Sequence, residues 1–190
     1  MPQLFPECLT VPTNHVRLLR ELLVADGHPI PFSLESRSTA ADECTVPLMQ
    51  DARLLQWAED CGRGPAMGYG VGLSSQPEDH GVLGFALMSC STLGDALTMW
   101  ARFAPTLAGG FDACRVIVAD RLELHFRDPF PSLPGRQAGL DRFIAFTVKL
   151  CLQLGHIQQR CWNCAWYRHC WNAPVPRHLA CICRHCAYLR

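Results

Sequence analysis

Four cysteines near the C-terminus hold the spacing best suited to chemistry. Cys161-x2-Cys164 and Cys183-x2-Cys186, with eighteen residues between the inner two, match a four-thiolate zinc site. Zinc takes thiolates rather than thiols, and Arg160, Arg168 and Arg184 lie among these cysteines to favour the ionised form. On this reading the ligands are Cys161, Cys164, Cys183 and Cys186. A second reading accounts for more of the tail. Leucine codons of the form CTG-C in a GC-rich gene, read one base over, give Cys and Trp, and His and Arg arise in the same way. A shifted frame therefore yields surplus Cys, Trp, His and Arg, no acids and no periodicity, and residues 156–190 show each of these. Cysteine pairs at this spacing then follow from composition, so the expectation is no cofactor, with zinc as the alternative.

Two other groupings have reactive residue types. His80 follows Asp79, and Cys90 stands ten positions on, which invites a nucleophile and base. A nucleophile needs a sharp strand-to-helix turn and a third group to orient the base, and the pattern supplies neither. Glycines at 68, 70 and 72 could bare backbone N–H groups to a phosphate. No strand pattern precedes them, no Lys-Ser/Thr follows, and no acid stands at ribose distance, so close helix packing or a turn is the better reading. The chain is not expected to be an enzyme.

The elements that must position these residues are mostly helical at first. Thr13 or Asn14 can cap a helix to about Asp26, with Val16, Leu19, Leu22 and Leu23 on one side and Gly27 at its end. Residues 33–44 are polar and read as a loop. Thr45 and Pro47 mark a second helix start, and Leu48, Ala52, Leu55 and Ala58 give that helix an apolar face as far as Gly62. Further on the period changes from helical to alternating. Arg115–Val118 and Leu122–Arg127 flank Asp120-Arg121, and apolar 122, 124 and 126 alternate with polar 123, 125 and 127. This predicts an antiparallel hairpin with one face on the core. A long helix follows from about Gln137 to Leu154, with Leu140, Phe143, Ile144, Val148, Cys151 and Leu154 inward.

Between these halves runs Gly81–Phe103, two apolar helical segments meeting at Ser89-Cys90-Ser91-Thr92. Thr92 and Asp95 have capping-box spacing. Leu93, Ala96, Leu97, Trp100, Ala101 and Ala104 then form one face, and Pro105 is expected to close the helix. Gly81-x-Leu83-Gly84-x-Ala86 followed by Ser89-x-x-Thr92-Leu93-Gly94-x-Ala96-Leu97 resembles the effector-sensing N-terminal domain of AraC-type transcription regulators, in the arabinose-binding-domain-like branch. The resemblance reaches from about Val16 to Leu154. It implies a small-molecule effector such as an amino acid or a sugar, a homodimer in the intact family, and DNA contact only through a C-terminal helix-turn-helix domain missing here. A pocket between the opening helix and the hairpin would use Trp100, Phe103 and Phe126 as apolar walls, with Arg127 or Arg142 for a carboxylate.

Charge agrees with a sensor rather than a DNA-binding chain. Seventeen basic and seventeen acidic side chains cancel. All the acids and twelve of the bases lie in the first 150 residues, leaving that part at −5, while the last 40 carry five arginines. No stripe of bases marks a phosphate-binding surface. The N-terminus has no secretory pattern and no run approaches a membrane span, so a cytoplasmic protein without a membrane partner is expected. Reducing cytoplasm argues against disulfides, and the scattered Cys8, Cys44, Cys61, Cys90 and Cys114 read as small core residues. The fold class is α+β. A helical N-terminal half is followed by a hairpin and a long helix in residues 1–155, an incomplete sensing and dimerisation domain that leaves Leu93, Leu97 and Trp100 short of partners. Residues 156–190 form an irregular Cys/Trp/His-rich tail, frameshifted or disordered.

Overall fold

Helix and strand signals become elements in the expected order. The computed structural model describes residues 5–31, 33, 37–38, 44–107, 109–118, 121–154, 162–163 and 178–183. Strand β1 (Thr10–Pro12) leads into helix α1 (Thr13–Ala25). Strands β2 (Arg37–Ser38) and β3 (Cys44–Pro47) precede α2 (Leu48–Asp60) and α3 (Gly64–Ser74). A 3-10 turn (Pro77–His80) introduces α4 (Gly81–Met88), and α5 (Leu93–Leu107) follows. Strands β4 (Asp112–Val118) and β5 (Arg121–Arg127) form the hairpin, and α6 (Arg136–Leu154) is the longest helix described. Strands β6 (Trp162–Asn163) and β7 (His178–Cys183) come last. The architecture is α+β.

Both sheets are antiparallel. One is ordered β1-β3-β2, with Val11 opposite Val46. The other is ordered β4-β5-β7-β6; Asp112 lies opposite Arg127 in the hairpin, and β7 joins with Leu124 opposite Cys181. Part of the tail is thus paired to the hairpin.

Two apolar cores share α6. The first gathers Leu83 and Leu87 of α4, the inner face of α5, Leu124 and Phe126 of β5, and Phe143, Phe146 and Leu150 of α6. The second gathers Val11, Leu19, Leu23, Leu55 and Val71 from β1, α1, α2 and α3, together with Ala138 of α6. Glycines allow α3 to lie against α6: a Cβ at Gly72 would come 2.7 Å from the Ala145 Cβ, and one at Gly68 would come 2.8 Å from the Ala138 carbonyl carbon. Such distances are well inside van der Waals contact, so only glycine fits.

Several local expectations are corrected. Leu93, Leu97 and Trp100 are buried, because α6 and the hairpin cover the face that was expected to lack partners. Helix α5 continues two residues past Pro105, which lies inside its last turn instead of closing it. Helix α1 begins at Thr13 with Pro12 as N-cap, and that cap makes no side-chain hydrogen bond. Thr45 belongs to β3, and α2 starts after Pro47. Residues 67–73 lie inside a helix rather than a turn. Cys8 and Cys114 are exposed, not core residues. Ahead of α5 the Thr92–Asp95 cap forms: the Thr92 hydroxyl accepts from the Asp95 N–H at 3.1 Å and donates to its carboxylate at 2.7 Å.

Candidate functional site

Where the two cores meet, the structure buries two imidazoles side by side. His15 lies in the first turn of α1 on the same face as Val16, Leu19 and Leu23. His80 ends the 3-10 turn that precedes α4. Each is 4% exposed, and their ring centroids are 4.7 Å apart in an edge-on arrangement. The His80 ring also meets Trp100 edge-on at 5.0 Å and Phe146 at 4.2 Å. His15 Nε2 and both ring nitrogens of His80 have no hydrogen-bond partner among the described residues. Leaving a buried polar group unpaired costs about 1–3 kcal/mol, so three such atoms at one spot are unusual for a region with only a packing role.

The electrostatics keep both rings neutral. Burial, followed by the charge of Arg142, lowers His80 from the usual 6.5 to about 3. Burial, then His80, then Arg142 hold His15 well below 6.5. Arg142 itself is buried on α6, where its two terminal nitrogens donate to the two oxygens of Asp51 on α2 at 2.8 and 2.6 Å. A nearby polar link ties α5 to α6: the Trp100 indole N–H donates to Thr147 Oγ1 at 2.9 Å, and that hydroxyl donates to the Phe143 carbonyl at 2.8 Å. A second buried pair, Arg136 with Asp128, lies under the Phe111 ring and also reaches the Gly109 carbonyl. It fixes the start of α6 to the connections around the hairpin.

The residues expected to form a pocket are only partly assembled. Trp100 and Phe126 both lie against Phe143, with centroids 5.4 and 5.6 Å from it. Arg142 reaches the imidazole pair electrostatically but spends its hydrogen bonds on Asp51. Phe103 stands on the outer side of α5, 42% exposed, with Arg102 over its ring. Arg127 is exposed on β5, paired with Asp112 across the hairpin. Cys90 is no partner for His80 here, since its thiol is directed at the Ala86 carbonyl at 3.4 Å. Of the zinc candidates, Cys161, Cys164 and Cys186 lie outside the described residues, and Cys183 is described only as the last residue of β7. His15 was the residue that sequence reasoning passed over. Its signal was a histidine four positions before Leu19, on an apolar stripe where a leucine would be ordinary.

Comparison with known proteins decides the family. Residues 32–161 match the family described as the arabinose-binding domain of AraC transcription regulator, N-terminal. The chain belongs to this AraC family. No curated protein matches the sequence significantly. Among solved structures, the transcriptional regulator CdpR from Pseudomonas aeruginosa is similar in fold, with a TM-score of 0.58 at 16% identity over 93% of this chain. The chain spans 56% of the length of that protein, and the likeness is one of fold. His80 lies within the matched residues, and His15 lies ahead of them on α1. Among the described residues no helix is long and apolar enough to cross a membrane.

Proposed function

We propose that this chain is the small-molecule sensing part of a cytoplasmic AraC-type transcription regulator. The observation that carries the reading is the junction between the two cores, where unpaired imidazole nitrogens and aromatic walls converge from α1, the 3-10 turn, α5 and α6. Ligand sites favour such places, apolar in the main with a few convergent polar groups. Amino acids and sugars are the effector classes to try first. As in intact members of the family, the sensing unit works as a homodimer. Operator recognition belongs in this reading to a separate C-terminal helix-turn-helix domain, and residues 1–190 neither bind an operator specifically nor catalyse a reaction.

The test is a titration of the full chain with a panel of amino acids and sugars, followed by tryptophan fluorescence and thermal stability. A ligand that binds only the folded state raises its stability in proportion to the logarithm of ligand concentration over Kd. At least one member of the panel should do so and change the emission of Trp100, whose ring touches His80. Silence across the panel counts against sensing.

A further inference from the structure

We propose that the His15–His80 pair is the seat of a carboxylate, so that the effector is a small organic acid taken up together with one proton. The inference rests on the sensing function proposed above and deepens it by naming the chemical class.

The argument starts from the three orphan nitrogens. Two neutral imidazoles can each turn one N–H toward a common acceptor, and a carboxylate offers two oxygens to accept them. A neutral pair is poorly suited to hold an anion for long, but protonating one ring changes this. The imidazolium then donates to an ionised acceptor, a stronger and shorter kind of hydrogen bond. The surroundings favour the incoming negative charge. Arg142 acts on both rings as a positive neighbour. Asp51 is already engaged by both terminal nitrogens of Arg142. Other ionisable groups nearby are Asp79, which accepts from Asn14 at 3.2 Å, Lys149, which donates to the Ser75 carbonyl at 2.6 Å, and Glu78, which stands in the 3-10 turn with Asp79 and acts with it on Lys149. The walls suit the rest of such a molecule, since Trp100 and Phe146 present apolar surface beside the polar seat.

Proton uptake makes the proposal measurable. When the free site is neutral and the occupied site carries one added proton, affinity rises about tenfold for each unit the pH falls. The probes are butyrate and its uncharged isostere butyramide, applied to the full chain at pH 8, 7 and 6 with thermal shift and tryptophan emission as readouts. Butyrate should stabilise the protein with that pH dependence, butyramide should not, and His80→Gln should abolish the butyrate response while circular dichroism stays native. His15→Gln, which removes one orphan nitrogen instead of two, serves if His80→Gln does not fold; if neither folds, the pH dependence of the unaltered chain decides. Equal responses to both probes, a butyrate response independent of pH, or full retention in a folded His80→Gln protein would overturn the proposal. No butyrate response beside a clear response to a sugar would overturn it and leave sensing intact, whereas silence toward every compound removes both.

Discussion

Arg142 and Asp51 illustrate how much rests on single contacts in this protein. Both side chains are almost wholly buried, 5% and 1% exposed, and each satisfies the other through two hydrogen bonds. Replacing Asp51 with alanine leaves a guanidinium buried without its counter-charge, for which the expected loss is about 3–5 kcal/mol in urea unfolding. Replacing both partners together with apolar residues of similar volume should cost much less. The imidazoles have the opposite character, because they are buried neutral. Their unfolded forms titrate near 6.5, whereas His80 in the folded protein titrates near 3 and His15 is also held low. Between these limits the unfolded chain binds more protons, so stability is full above about pH 6.5 and falls as the pH drops toward 3. Melting temperature should be lower at pH 5 than at pH 7.5, and His80→Phe should narrow that gap. Little of this was legible in the sequence. His80 could be seen beside Asp79, but its neighbours Trp100, Phe146 and His15 come from three other elements, and nothing local encodes such a meeting.

Helix α3 shows why some elements escape sequence reading and others do not. Its glycines at 68, 70 and 72 have poor helix propensity and leave little apolar period to detect. Tertiary packing overrides that weakness by using two of them as the surface on which α6 lies. The third offers a contrast. A Cβ at Gly70 would meet nothing within 4 Å, so Gly70→Ala should gain about 0.5–1 kcal/mol from the lost backbone freedom of the unfolded chain. Gly72→Ala adds the same methyl against Ala145 and the Arg142 carbonyl, and should instead destabilise by roughly 1–3 kcal/mol through overpacking. Chemical denaturation of the two variants checks both signs. Helices α2, α5 and α6 were readable because their inner faces repeat at helical spacing, as Leu48, Ala52, Leu55 and Ala58 do in α2. Strands β2 and β3 were not, since two to four residues carry too short a pattern, and β3 pairs with β1 from across the whole of α1.

At the scale of the whole molecule, charge and connectivity set the behaviour. Residues 1–150 carry an excess of five acids, which opposes approach to a phosphate backbone. A gel-shift titration of the 190 residues should accordingly show no sequence-specific, salt-dependent complex. The two cores do not behave as two bodies, because Ala138 near one end of α6 belongs to the second and Leu150 near the other end belongs to the first. Heating should give one cooperative calorimetric transition, and two resolved peaks would show that the cores come apart separately. The shared helix also fixes the order in which the protein loosens. The α6 amides between Ala138 and Leu150 lie on the helix that both cores share, whereas those of α1 and α4 each border one core. In a native-state exchange experiment the α6 amides should therefore be the last to label, at the free energy of global unfolding, and the 3-10 turn beside His80 among the first.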